Sequence, residues 1–187
     1  MSLIKSEVFT QHAKDYIARV NRALSSIADE ALIDFIESLV QQRGTVYIIG
    51  NGGSASNSSH LALHLSDVSI RAIDVMSQVP TTTAFSNDLS YADALSSYLN
   101  TMAWPASDAL VVISGSGNSE NILNALKYAR SSSIETFGLL GFGGGYAADL
   151  CDHKVVVASD QYGPVEDVHS AVIHMMTEMM LQIPRPG

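Results

Sequence analysis

Residues 45–54, Thr45-Val46-Tyr47-Ile48-Ile49-Gly50-Asn51-Gly52-Gly53-Ser54, join an apolar, β-branched run to a turn of small polar residues. The run predicts a buried strand, and the helical pattern that follows predicts that a helix begins directly after the turn. Glycines let a backbone approach an anion closely, and the free N–H groups at the start of a helix add positive potential. The stretch therefore predicts a phosphate-binding turn at the carboxyl end of a strand.

A second segment has the same organisation. The apolar residues 110–113 lead into Ser114-Gly115-Ser116-Gly117-Asn118-Ser119, whose hydroxyls can donate to phosphate oxygens. Either turn alone can be a plain connection, but the pair favours one small phosphorylated ligand held from two sides. The first turn fits a dinucleotide fingerprint only loosely, with Ala55 in the third glycine's place, and neither turn ends like a nucleotide P-loop. A sugar phosphate is therefore a better interpretation than a nicotinamide cofactor and a dehydrogenase. The glycine-rich residues 141–145 are more typical of a flexible loop than of a third anion site.

Composition and charge exclude several classes of protein. The chain has 187 residues, of which 47% are hydrophobic and 16% charged, as in an ordinary globular protein. Its formal net charge of -9 leaves no basic stripe for nucleic acid and no polybasic segment for a membrane surface. The apolar runs are shorter than the roughly 18 residues of a transmembrane helix, and the amino terminus lacks the apolar core of a signal peptide. With Cys151 as its one cysteine, the chain is expected in the cytoplasm, without direct contact with nucleic acid or membrane.

The order of apolar patterns predicts an α/β fold. Residues 5–42 contain no Gly or Pro and place apolar residues at helical spacing, which predicts two amphipathic helices broken near Ala28-Asp29. Strands and helices then alternate, which predicts a doubly wound, parallel, five-stranded sheet flanked by helices. We expect one domain over residues 1–187, with a helical segment over 1–43 and an α/β core over 44–187. The expected strands are 45–50, 70–75, 109–113, 135–140 and 154–158, and the expected helices beyond the segment are 54–66, 90–102, 118–131, 145–150 and 164–181.

Histidines and carboxylates predict a second cluster. His60 and His64 are four residues apart, which puts both imidazoles on one face of a helix. Glu166 and His174 are eight residues apart, a little more than two turns, so they share one side of the last helix. If the two helices meet, these four side chains can converge as a zinc-like site. A His-x-x-x-His motif is nevertheless more often an ordinary pair of hydrogen-bonded histidines. The same groups can also move protons in an aldose–ketose isomerisation without a metal.

The pair Asn87-Asp88 is a further candidate. It follows the three threonines at 81–83 in what we predict to be a turn. Its side chains can bind sugar hydroxyls, or can serve only as turn or helix-capping groups. The residues alone leave both interpretations open.

Together these motifs resemble the sugar isomerase (SIS) fold and, within it, the phosphoheptose isomerase family, which converts sedoheptulose 7-phosphate to glycero-manno-heptose 7-phosphate. The resemblance covers nearly the whole chain. It implies that both turns and the Asn-Asp pair bind the substrate. The implied substrate-binding residues are Asn51, Gly52, Gly53, Ser54, Asn87, Asp88, Ser114, Gly115, Ser116, Ser119 and Glu166.

The resemblance also implies a metal and a catalytic set. Zinc or another divalent ion is the implied cofactor, with His60, His64, Glu166 and His174 as ligands, and His64, Glu166 and His174 as the groups that share proton transfer. The family's glutamate four residues after the first histidine is His64 here, and its last-helix glutamine is Glu166. An arginine expected four residues after His64 is replaced by Val68.

The leading interpretation is an aldose–ketose isomerase of a phosphorylated sugar, with a heptose as the implied substrate. The alternative is a non-catalytic SIS module, either a sugar-phosphate sensor or a scaffold that binds a replication-initiator protein. Loss of the glutamate at His64 favours the alternative, whereas His60, Glu166 and His174 oppose it. The resemblance further implies a homotetramer in which the N-terminal helices of residues 1–43 are used for oligomerisation.

Overall fold

The computed structural model describes residues 6–102 and 105–183, and it contains one parallel sheet of five strands. The strands are β1 (Val46–Gly50), β2 (Ala72–Asp74), β3 (Ala109–Ser114), β4 (Glu135–Leu140) and β5 (His153–Val156). Their order in the sheet is β2-β1-β3-β4-β5. The chain therefore moves outward in one direction from β1 to β2 and in the other from β3 to β5. A ligand crevice is expected where these directions diverge, between the carboxyl ends of β1 and β3.

Alternate strand residues point to opposite faces of the sheet, and both sets are apolar. Helices therefore cover both faces. Val46 and Ile48 pack into one apolar cluster, and Tyr47 and Ile49 pack into the other. The helices are α1 (Ser6–Leu24), α2 (Asp29–Val40), α3 (Gly53–Asp67), α4 (Val79–Asp88), α5 (Tyr91–Asn100), α6 (Glu120–Ser131) and α7 (Tyr162–Met180). The first cluster includes residues of α2, α3 and α7, and the second includes residues of α5 and α6. Across residues 6–102 and 105–183, none of the helices has the length and apolar character to cross a membrane.

Helix α2 is fixed to the amino ends of β4 and β5. Phe35 packs edge-on against Phe137, with ring centroids 5.2 Å apart. His153 joins Asp34 (2.7 Å) to Glu135 (2.8 Å) through its two ring nitrogens. Burial lowers the pKa of His153, but the hydrogen bonds to both carboxylates outweigh burial and leave that pKa raised. A protonated His153 therefore stabilises this end of the sheet, far from the crevice.

The sequence predictions of a five-stranded parallel sheet and of a helix break near Ala28-Asp29 are confirmed. The sequence missed α4, because none of its described residues is buried and it consequently lacks a periodic apolar face. The helix packs against α5, with the rings of Phe85 and Tyr98 5.9 Å apart. Asn87-Asp88 therefore ends a helix, and the prediction that it lies in a turn is wrong.

The glycine-rich residues 141–145 are not a simple loop. Gly141 precedes a 3-10 segment, Phe142–Asp149, whose helical geometry is interrupted at residues 143–145, which have positive φ. Glycine tolerates this conformation, which would strain most other residues. The amide of Ala147 donates to the carbonyl of Gly117 at 2.9 Å. The segment therefore supports the second Gly/Ser turn from behind.

Candidate active site

A cavity of about 240 Å³ opens at the carboxyl ends of β1 and β3. Because Gly50 pairs with Ile113 in the sheet, β1 ends within one residue of the end of β3. Gly53, the first residue of α3, and Ser119, the N-cap of α6, both line the cavity, so the two helices begin beside it. The cavity is lined by Asn51, Gly52, Gly53, Ser54, Ser114, Gly115, Ser116, Ser119, Tyr162 and Glu166.

The structure thus brings most of the proposed substrate-binding residues around one cavity. Asn87 and Asp88 are not part of its lining; they are exposed at the end of α4, where the Asn87 amide donates to Asp88 Oδ1 at 3.1 Å. Sequence reasoning missed Tyr162, which lies at the start of α7 with its ring 4.8 Å from that of Phe142. Its position just before the predicted helix of residues 164–181 is the sequence signal that could have suggested it.

The second turn presents serine hydroxyls that are ready to donate. Ser114 Oγ accepts a hydrogen bond from the Gly117 amide at 3.1 Å, and Ser116 Oγ accepts from the Asn118 amide at 3.2 Å. A hydroxyl that accepts from the backbone keeps its proton for another acceptor. These two contacts orient the hydroxyls, and a ligand with oxygen acceptors can use the protons.

Glu166 projects into the cavity against the first turn. A Cβ built at Gly53 would overlap the Glu166 carboxylate, so only glycine leaves room for it there. Burial raises the pKa of Glu166, and the negative charge of Asp167 raises it further. Asp167 itself accepts a hydrogen bond from the Tyr16 hydroxyl of α1. A carboxylate whose pKa is raised holds a proton more strongly than a free one, which suits a group that must take up and return a proton.

The cavity contains no basic side chain among the described residues that line it. Val68, where relatives are expected to carry arginine, is 4% exposed and belongs to the apolar core. An anion in the cavity must therefore be held by hydroxyls, backbone amides and the N-termini of α3 and α6.

Three histidines form a second cluster farther along the contact between α3 and α7. Ligand nitrogens of His60, His64 and His174 all lie within 4.8 Å of one another, and the Nε2 atoms of His60 and His64 are 2.9 Å apart. Two nitrogens bound to one tetrahedral zinc ion are roughly 3.3 Å apart. The cluster therefore fits a divalent ion with small side-chain adjustments.

The electrostatic surroundings of His60 also suit a metal. Burial lowers the pKa of His60, and the neighbouring His64 and His174 lower it further. A neutral imidazole is the form that binds metal. His60 Nδ1 lies within hydrogen-bonding distance of the Ser170 hydroxyl, at 3.4 Å. His64 Nδ1 lies 3.4 Å from Asp67 Oδ2, which is within ion-pair distance, but this second contact lacks hydrogen-bond geometry.

Glu166 lies in the cavity and is not part of the histidine cluster. Eight residues of helix separate it from His174, about 12 Å along the axis. Three of the four proposed metal ligands are therefore together, and the fourth faces the two turns.

Comparison with protein families matches residues 8–141 to the SIS domain. The chain belongs to the SIS domain family. Phosphoheptose isomerase of Rhodospirillum rubrum is 32% identical over 174 residues, which is 90% of this chain and 91% of that protein. Phosphoheptose isomerase of Helicobacter pylori is 31% identical over 183 residues, which is 95% of this chain and 93% of that protein. Like these relatives, this SIS protein is an enzyme of the isomerase class.

Solved structures give the same result. Phosphoheptose isomerase from Neisseria gonorrhoeae superimposes with a TM-score of 0.86 at 26% identity, over 95% of this chain and 98% of that one. The SIS fold predicted from the two turns is therefore confirmed.

The glycines of the SIS turns allow matched substitutions. We expect Gly53→Ala to displace the Glu166 carboxylate, a flexible side-chain end, and so to lower isomerase turnover at least about tenfold with little loss of stability. Gly117 has a φ of 64°, and its Cβ would overlap the backbone carbonyl of Gly144. We expect Gly117→Ala to lower the free energy of unfolding by about 1–3 kcal/mol. Urea unfolding and turnover measured on both variants check this contrast, and equal destabilisation of the two would contradict it.

Proposed function

We propose that this SIS protein is a phosphosugar aldose–ketose isomerase acting on sedoheptulose 7-phosphate in the cytoplasm. The observation that carries the proposal is the cavity in which two Gly/Ser turns face a single carboxylate. The two phosphoheptose isomerases to which the chain is 31–32% identical support the choice of sugar.

We assign the phosphate of the substrate to the second turn. Ser114 and Ser116 are oriented by backbone amides, and Ser119 is the N-cap residue of α6 without a side-chain capping bond. Three hydroxyls and a helix N-terminus can together solvate a phosphate in the absence of a basic side chain.

We assign proton transfer to Glu166. Its carboxylate takes the proton from the hydroxyl-bearing carbon beside the ketose carbonyl, which leaves an enediolate, and a hydroxyl proton moves from one oxygen of this enediolate to the other. Return of the proton to the neighbouring carbon gives the aldose, so one C–H bond breaks, one forms, and no oxidant is required. Of the proposed catalytic residues His64, Glu166 and His174, Glu166 is the one that lines the cavity.

We infer that His60, His64 and His174 hold a divalent ion, with zinc as the best fit to three imidazoles. When bound, such an ion supplies Lewis acidity, which polarises a carbonyl or hydroxyl oxygen. His64 and His174 are then ligands, and their coordinating nitrogens have no lone pair left for proton transfer.

The proposal predicts turnover of sedoheptulose 7-phosphate that depends on Glu166. Glu166→Gln preserves the shape of the side chain but removes the base, so we expect kcat to fall by about 100-fold or more with a smaller change in KM. Glu178→Gln makes the same change at an exposed glutamate of α7 that does not line the cavity, and it is the matched control. If the wild-type protein binds sugar phosphates but isomerises no phosphorylated ketose, the non-catalytic SIS module becomes the correct function.

The metal assignment has its own test. Elemental analysis should find close to one divalent ion per chain, and His64→Ala should lose most of it because two imidazoles bind far more weakly than three. His153→Ala is the control, since that histidine binds two carboxylates at the other end of the sheet. Full metal content in His64→Ala would contradict the assignment.

We also propose that the chain forms a homotetramer through α1. Val8, Phe9 and Ile17 of this helix are 48%, 63% and 57% exposed, and an assembly through α1 would remove these apolar side chains from water.

Light scattering should return four times the chain mass of 20.0 kDa. The double variant Phe9→Lys/Ile17→Lys should lower this mass, whereas Tyr146→Lys, at a residue 73% exposed on another surface, should not. A wild-type mass of a single chain would refute the assembly.

A further inference from the structure

The side chain of Asn51, at the edge of the cavity, is held by two residues that do not line the cavity. Asn51 and Asn121 exchange two hydrogen bonds, each 2.9 Å long, between the amide nitrogen of one and the amide oxygen of the other. The Tyr91 hydroxyl donates to the same Asn51 oxygen at 2.6 Å. Asn121 belongs to the first turns of α6 and Tyr91 begins α5, so three elements meet at one amide.

This network decides which end of the Asn51 amide is free. Its Oδ1 accepts from two donors, which uses both lone pairs. Its Nδ2 donates once to Asn121, which leaves one N–H without a role in the network. Asn121 is 2% exposed, so water cannot easily replace Asn51 if the amide turns away. The free group on Asn51 is therefore a donor, and its oxygen is occupied.

The orientation matters because the cavity must hold an anion without a basic side chain. An amide N–H attracts phosphate or carbonyl oxygens, whereas an amide oxygen in the same place would repel them. An unrestrained asparagine can present either end, since the two differ by a rotation of its terminal torsion.

We propose that Asn121 and Tyr91 are positioning residues that fix Asn51 with its N–H available to the ligand. They act through Asn51 and make the cavity selective for ligands that present oxygen acceptors. The inference deepens the proposed isomerase function and rests on it for the identity of the substrate.

Two pairs of variants test this role. Asn121→Ala removes the reciprocal amide pair, and Tyr91→Phe removes one hydroxyl from a side chain that is 54% exposed, so the second variant keeps the fold even if the first is destabilised. Asn124→Ala is the control for the first, because Asn124 lies on the same helix and bonds α5 through Ala92 and Asp93. Tyr98→Phe is the control for the second. The Tyr98 hydroxyl is on the same helix as Tyr91, but it donates to Gln78, the N-cap residue of α4, and not to Asn51.

We expect Asn121→Ala to raise KM for sedoheptulose 7-phosphate about tenfold and Tyr91→Phe about threefold, with smaller changes in kcat and none of this size in the controls. In an Asn51→Ala background both effects should shrink below about twofold, since the residue through which they act is gone. Inorganic phosphate affinity, measured by calorimetry on the same set of variants, should follow the same pattern.

The outcomes separate the two proposals. If the wild type turns over the substrate but the variants match their controls, the positioning role is wrong and the isomerase function stands. If the effects persist in the Asn51→Ala background, Asn121 and Tyr91 act directly on the ligand, which also overturns the positioning role. If turnover is absent while phosphate binding follows the expected pattern, the isomerase proposal fails and the positioning role stands. If the wild type binds neither ligand, both are wrong.

Discussion

The pairing of β1 with β3 is the constraint on which the rest of the site depends. Gly50 and Ile113 are partners in the sheet, so β1 ends within one residue of the end of β3. Each strand is followed by a Gly/Ser turn and a helix, and the parallel arrangement directs both helix N-termini to the one cavity. If the register shifted by one residue, the side chains of the shifted strand would exchange faces of the sheet and its turn would move by roughly 3.3 Å relative to the other turn.

The contact between α3 and α7 is the second determinant, and Gly53 permits it. Because Gly53 has no side chain, the start of α3 leaves space for the Glu166 carboxylate. One turn later, the side-chain amide of Asn57 donates to the backbone carbonyl of Glu166 at 3.0 Å. Farther along the same two helices, His60 lies beside Ser170 and near His174. One helix pair therefore carries the carboxylate at one end and the histidine cluster at the other.

The sequence predicted the parts of the fold whose burial is simple. Strands such as β1 and β3 are buried along their whole length, so they read as continuous apolar runs. Helix α4 could not be found because it has no buried described residue, and this is why Asn87-Asp88 was misplaced. Spacing put Glu166 on the same side of α7 as His174 but gave no weight to the roughly 12 Å that eight residues span along a helix axis. Tyr91 and Asn121 could not be predicted either, because their partner Asn51 lies 40 and 70 residues away in the chain.

The charges of the cavity limit what can fit there. Phosphate and the Glu166 carboxylate are both negative, and no described basic side chain lies between them. At an effective dielectric constant of about 20, two unit charges 4 Å apart repel by about 4 kcal/mol, and doubling the distance halves this. The raised pKa of Glu166 reduces the repulsion only in part, because the residue must be ionised to accept a proton. Under the proposed assignment of phosphate and base, this arrangement favours a substrate whose phosphate is several carbons away from its reacting carbonyl, as in a long-chain sugar phosphorylated at its far end.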